Sequence, residues 1–330
     1  MTRPSRASLG VSTPADLLAS AYVVALPMRT RFRGITVREA MVFEGPAGWG
    51  EFAAFPEYDD AEAALWLAAG LEAATLGPPD RVREWVDVNA TVPAVAAADV
   101  PDVLARFPGA RTAKVKVAEK GQVLADDVAR VEAVRALVPT VRVDANGGWT
   151  VDEAERALHA LTETGDLEYA EQPCASVEDL AEVRRRVPGV AVAADESIRR
   201  ADDPLRVVRA GAADVAVVKV SPLGGMRAVV ALADQLAEFG VPVVVSSALD
   251  TAVGMSAGLA AAAALQSTAA CGLGTGALFT ADLAPPRELV DGRLCADTVI
   301  PDPGALASLA APEDRRRWWI ARAERCLRLL

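Results

Sequence analysis

Histidine occurs once in the 330-residue chain, at His159. It falls inside 151–164 (VDEAERALHALTET), a stretch with helical charge spacing, so no Ser-His-Asp or Cys-His triad and no histidine base is expected. Cysteine is scarce. Cys174, Cys271, Cys295 and Cys326 are widely separated with no CxxC pair, which excludes a disulfide framework or a cysteine zinc site and suits isolated thiols in a reducing cytoplasm. A basic excess is missing too: the net charge of −11 argues against nucleic-acid binding by bulk electrostatics. An anionic substrate must then be met by local positive charge. Residues 251–281 carry no charged side chain. They are built from Ala, Gly, Ser and Thr, with Gln266 inside, rather than from the Leu, Ile, Phe and Val that drive membrane insertion. A buried helix and strand are expected there, and no membrane span. The N-terminal MTRPSRASLG has no apolar run behind it, since Pro14 and Asp16 interrupt. No signal peptide and a cytoplasmic location are expected.

What is present is a regular alternation. Residues 21–26 and 35–44 read as strands, GPAGWGEF (45–52) as a turn and short strand, and 60–75 as a helix stopped by Gly77-Pro78-Pro79. From about residue 85 the texture changes. Candidate strands at 86–92, 112–117, 140–145, 167–171, 190–195, 214–220, 241–247 and 269–273 alternate with amphipathic segments such as 151–164 and 176–187. This pattern predicts a parallel sheet, and about eight strands at near-constant period favour a closed barrel. The expected division is a cap over 1–84, a barrel over 85–280 and a C-terminal segment over 281–330 that returns to the cap. The apolar content of 52% suits a buried α/β core rather than disorder.

Three acidic residues, Asp144, Glu171 and Asp195, stand at the ends of successive strands at steps of 27 and 24 residues. Lys116 stands 28 residues before the first and Lys219 24 residues after the last. Groups at equivalent ends of successive βα units converge at one mouth of a barrel. Three hard oxygen ligands between two amines describe a Mg2+ site flanked by proton carriers, and the lack of cysteine or histidine ligands disfavours zinc. Alternate side chains of a strand share a face, so Lys114 projects with Lys116, and Arg142 and Asn146 project with Asp144. Like charge from Lys114, Arg142 and a metal is expected to favour a neutral Lys116 that can act as base. Glu196 has the opposite parity to Asp195, and a supporting salt link is expected for it. GLGTG (272–276) lacks the helix and downstream glycine of a dinucleotide site; Gly274 is expected to bring the last strand close to a ligand. Trp318 and Trp319 are expected to pack the C-terminal segment.

The runs KVK (114–116), VDANGGW (143–149), EQP (171–173), ADES (194–197) and VKVSPLGG (218–225) resemble the enolase superfamily in its muconate-lactonising subgroup, over the whole chain. The resemblance implies an α/β fold, a modified TIM barrel (β/α)7β with an N-terminal α+β capping domain. It also implies Lys116 and Lys219 as catalytic residues and Asp144, Glu171 and Asp195 as ligands of Mg2+, with Mn2+ able to substitute. In the cap, PMRTRFRGITVREA (27–40) and GPAGWGEFAAFPEY (45–58), with SSALDTAVG (246–254) in the barrel, are similar to the o-succinylbenzoate synthases of high-GC Gram-positive bacteria.

That similarity implies a hydro-lyase of menaquinone biosynthesis. Its substrate is a small dianion, 2-succinyl-6-hydroxy-2,4-cyclohexadiene-1-carboxylate. Lys116 takes the α-proton and Lys219 stabilises the enolate from the other face. The arginines at 29, 31 and 33, with Arg31 foremost, and Ser246 and Ser247 are expected to meet the substrate's carboxylate and succinyl groups, beside Lys114, Arg142 and Asn146. Two other readings stay open: an N-succinylamino-acid racemase or dipeptide epimerase with the same site, and a non-catalytic barrel that binds. A monomer is expected, though residue patterns do not set the oligomeric state.

Overall fold

The computed structural model describes residues 16, 21–32, 34–199 and 203–330; Arg33 lies outside them. The chain begins with an antiparallel meander of β1 (Tyr22–Phe32), β2 (Ile35–Gly45) and β3 (Gly48–Phe52). Helix α1 (Asp60–Leu76) lies across it. Asp59 caps this helix by accepting from the Glu62 N–H at 2.8 Å, and Gly77 ends it at a φ of 66°. Helix and sheet meet backbone to backbone. A Cβ on Gly50 would stand 2.0 Å from the Gly70 carbonyl oxygen, and one on Gly70 would stand 2.4 Å from that of Glu51.

The second body is a curled parallel sheet in the order β11-β10-β9-β8-β7-β6-β5. Its strands are β5 (Ala90–Val92), β6 (Thr112–Lys116), β7 (Thr140–Asp144), β8 (Tyr169–Glu171), β9 (Val192–Ala194), β10 (Val215–Val218) and β11 (Val243–Val245). The longer helices around it are α2 (Leu124–Arg135), α3 (Val151–Thr162), α4 (Val177–Arg186), α5 (Met226–Ala237) and α6 (Ala252–Ala264). Thr150 and Glu153 start α3 with a reciprocal capping box. Strand parity sorts the side chains. Val115, Val143, Ala170, Ala194, Val218 and Val245 face the helices in one large apolar core, whereas Tyr169, Ala193, Val217 and Val244, from four adjacent strands, form a separate cluster, as the inward-facing side chains of a barrel do.

Two expected strands differ in form. The run 86–92 divides at Asn89 into β4 (Trp85–Asp87) and β5, and β4 pairs antiparallel with β12 (Arg293–Cys295) outside the parallel sheet. The expected strand 269–273 is reduced to two residues, Cys271 and Gly272, bridged in parallel to Val88 and Ser246. These bridges join the two edges of the sheet. Gly272 is needed there, since a Cβ would fall 2.5 Å from Ser246 Oγ.

The charge-free stretch contains α6, which packs beneath α5 and β11. No helix of the described residues is long and apolar enough to cross a membrane. Helix α7 (Glu313–Leu327) packs on α1 and β1. Its Trp319 is fully buried, edge-on to Phe52 at 5.3 Å, and donates its indole N–H to Glu39 at 2.9 Å. Buried Arg322 donates to the carbonyls of Ala54 (3.0 Å), Phe55 (3.0 Å) and Tyr58 (2.6 Å). The four cysteines are free thiols.

Candidate active site

Register brings the charged residues into a row. Lys116 pairs with Asp144 across β6 and β7, and Asp144 pairs with Glu171 across β7 and β8. Asp195 and Lys219 directly follow β9 and β10. All five stand at the C-terminal ends of parallel strands, where barrel sites form. Four of them, Lys116, Asp144, Asp195 and Lys219, line one cleft with Lys114, Asn146, Ser246 and Ser247; Phe32 enters it from the cap. Glu171 is fully buried, against Lys114.

Ion pairs hold this cluster. Lys114 Nζ donates to both oxygens of Glu171 at 2.6 and 2.7 Å and lies 3.1 Å from Asp144. Lys116 Nζ donates to Asp144 at 2.5 Å and to Asn146 Oδ1 at 2.6 Å, and lies 5.4 Å from the centre of the Phe32 ring. Lys219 donates to Asp195. Burial opposes the charged form of Asp144, but the Lys116 and Lys114 ammoniums outweigh it and hold the carboxyl well below the usual range. Glu171 goes the other way: burial and the charge of Asp144 push it up to about 7. Burial would lower the Lys114 ammonium, yet Glu171 and Asp144 keep it well above its ordinary value. Among the described residues no three His, Cys, Asp or Glu side chains form a ready metal cage. The ammonium groups stand between the carboxylates.

The other predicted residues divide. Asn146 takes a left-handed φ of 47°, which asparagine tolerates, and its Nδ2 reaches Glu196 at 3.4 Å. Ser247 Oγ lies 2.5 Å from Thr275 Oγ1, and Ser246 is bridged to Gly272. Arg142 is not brought to the cleft. It faces the barrel interior but one step deeper than Asp144. There its guanidinium donates to Glu168 (2.6 Å), the Ala270 carbonyl (2.6 Å) and Asn89 (3.2 Å) over the Tyr169 ring. Those partners hold it below the cleft, and it is not among the residues that line the mouth. Gly274 lines a neighbouring cavity with Arg29, and it is Gly272 that makes the close approach. Arg31 is exposed and outside the cleft lining. His159 is exposed on α3.

Sequence reasoning missed Gln172, Thr91, Phe32 and Thr275. Gln172, at a φ of 40°, accepts from the N–H groups of Asp195 (3.1 Å) and Ser197 (3.2 Å) and donates to Ser197 Oγ (2.8 Å). It ties the ends of β8 and β9 together; its place in EQP was the available signal. Phe32 closes a strand whose inward face cannot be told by alternation.

Residues 97–304 match the enolase C-terminal domain-like family and residues 23–74 match the enolase N-terminal domain-like family. The chain is similar to curated o-succinylbenzoate synthases. It is 63% identical to that of Mycobacterium marinum, covering 97% of each chain. It is 62% identical to that of Mycolicibacterium smegmatis, over 97% of this chain and 99% of that one. Among solved structures it is similar to muconate lactonizing enzyme from Pseudomonas fluorescens complexed with muconolactone (TM-score 0.75, 22% identity, 88% of this chain and 98% of that one). An N-succinyl Arg/Lys racemase from Bacillus cereus gives a TM-score of 0.72 at 20% identity, over 88% of this chain and 97% of that one. At such identities these two speak for the fold alone. This chain belongs to the enolase superfamily, and the curated relatives named above are o-succinylbenzoate synthases.

Proposed function

We propose that this chain is an o-succinylbenzoate synthase, a hydro-lyase of menaquinone biosynthesis. It converts 2-succinyl-6-hydroxy-2,4-cyclohexadiene-1-carboxylate into 2-succinylbenzoate and water by syn elimination. The observation that carries this reading is identity of 62–64% to such synthases over nearly the whole chain, with Lys116, Asp144, Asp195 and Lys219 lining one cleft.

Asp144, Glu171 and Asp195 fit Mg2+, with Mn2+ as a substitute, by donor type: hard oxygens without nitrogen or sulfur. The surroundings of Glu171 support the fit, because burial and the charges of Asp144 and Asp195 push it up to about 7 and a cation would relieve both. When bound, the ion would supply positive charge to the substrate carboxylate, worth several kcal/mol as negative charge builds there.

The chain's own residues supply the rest. Lys116, once its Nζ has left Asp144 and given its own proton to water, takes the proton α to the carboxylate as a neutral amine. The C–O bond to the ring hydroxyl breaks as the ring becomes aromatic, and the same ammonium returns the proton to the departing hydroxide on the same face. Lys219, across the cleft, stays protonated and offsets charge on the enolate oxygen. Asn146 orients Lys116, and Ser246 and Ser247 offer hydroxyls to the succinyl arm. Phe32 shields the Lys116 side from water.

The test is ultraviolet absorbance of the cyclohexadiene, followed with and without chelator. Loss of the diene in Mg2+ and none in chelator is expected. Faster solvent-deuterium exchange at the α-carbon of N-succinyl amino acids, with no dehydration, would overturn the assignment.

A further inference from the structure

Two buried cap residues grip the loop that follows β11. Arg38 on β2 donates from Nε to the Leu249 carbonyl (3.0 Å) and from Nη2 to the carbonyls of Ala248 (3.3 Å) and Ala53. Glu51 on β3 accepts on Oε2 from the Thr251 N–H (3.1 Å), the Thr251 hydroxyl and the Gly254 N–H (3.2 Å). Thr251 is itself the N-cap of α6, accepting from the Val253 N–H at 3.2 Å. A carboxyl group from the cap thus completes the start of a barrel helix, and a guanidinium holds the two carbonyls before it. Between the grips, Leu249 has a φ of 60°, a left-handed conformation that a branched side chain keeps only where its surroundings impose it. The fit is close: a Cβ on Gly254 would stand 2.6 Å from Glu51 Oε1.

The loop held in this way carries Ser246, Ser247, Ala248 and Leu249 into the wall of the active-site cleft. Phe52, Ala248, Leu249 and Val253 already share one apolar cluster, so adhesion between cap and barrel has a cheaper source than a buried arginine and a buried glutamate. Hydrogen bonds to fixed backbone atoms add direction, which apolar contact lacks. We propose that Arg38 and Glu51 are positioning residues for the reaction, setting the course of residues 246–251 and so the placement of both serines against the succinyl arm. This rests on the function proposed above.

Full-length Glu51→Ala, Glu51→Gln, Thr251→Val and Thr251→Ser variants test it, by steady-state kinetics and by hydrogen exchange of the amides of 248–254. Glu51→Ala is expected to lower kcat/KM about 100-fold, since small displacements of positioning groups cost that much, with KM raised and exchange in 248–254 faster than in the rest of the barrel. Glu51→Gln keeps a carbonyl oxygen where the three donors converge and is expected to restore both readouts. Thr251→Val moves them in the same direction as Glu51→Ala while leaving Glu51 and the backbone donors in place; Thr251→Ser restores them. Unchanged kinetics and exchange in Glu51→Ala and Thr251→Val overturn the proposal. So does a lower melting temperature with no local rise in exchange. Wild-type protein unable to dehydrate the substrate refutes the assigned reaction, while exchange still decides whether the cap holds the loop.

Discussion

Lys114 and Lys116 stand two residues apart on one strand and do different work. Lys114 is sunk against Glu171 and Asp144, whereas Lys116 reaches Asp144 and Asn146 at the open end. Lys116→Ala is expected to lower kcat by about 10²–10⁴-fold, the usual contribution of a proton-transfer group, with the circular dichroism of the folded protein retained. Wild-type turnover in that variant would refute its role as base. Lys114→Met removes one partner of a buried pair and is expected to destabilise the metal-free protein by about 3–5 kcal/mol in urea unfolding. A smaller loss is expected when Mg2+ is saturating. Alternation along the strands made the inward face legible, and with it Lys114, Lys116, Asp144 and Asn146. It carries no depth. Arg142 shares that face yet lies a layer below, where Glu168, Asn89 and the Ala270 carbonyl hold it.

At the scale of elements, α1 meets β3 where neither has a side chain in the way. Alanine in place of a mid-helix glycine ordinarily gains up to about 1 kcal/mol. At Gly70 the new Cβ would fall 2.4 Å from the Glu51 carbonyl oxygen, and such overpacking costs about 1–3 kcal/mol. Gly70→Ala is therefore expected to lower the melting temperature, and a rise would show that the two elements can separate without cost. Glu51 on the same strand gives a pH dependence. Burial and the charge of Asp250 push its carboxyl up to about 8, so the folded state keeps a proton that the unfolded chain releases in the ordinary carboxylate range. The stability tied to that proton is complete below that range and is lost as pH rises through about 8. Glu51→Gln should show a shallower fall in melting temperature between about pH 5 and pH 8; an identical slope would remove Glu51 as the source. The alternation of strands and helices is legible in the sequence. The reduced last strand and the divided 86–92 run are not, because both depend on partners distant in sequence: Ser246 for Gly272, and Arg293–Cys295 for Trp85–Asp87.

For the whole molecule, cation binding and folding are linked. An ion held only by the folded state at a hundred times its dissociation constant adds about 2.7 kcal/mol of stability. Mg2+ is expected to raise the melting temperature of the wild type, and Asp144→Ala to abolish the rise. A full rise in that variant would place the ion elsewhere.

Helix α7 has a consequence of another kind. Trp319, Ala323 and Cys326 share one apolar cluster with Val24, Met41 and Phe52, and the Ala25 N–H donates to the Leu309 carbonyl at 2.8 Å. During synthesis the meander leaves the ribosome before the barrel, with α1 close behind to cover part of it, but α7, which completes the cover, leaves after the barrel. The cap is thus begun before the barrel and finished after it. Until then the part of its apolar face that α7 covers stays exposed through most of translation, the stage at which a holding chaperone would be of use.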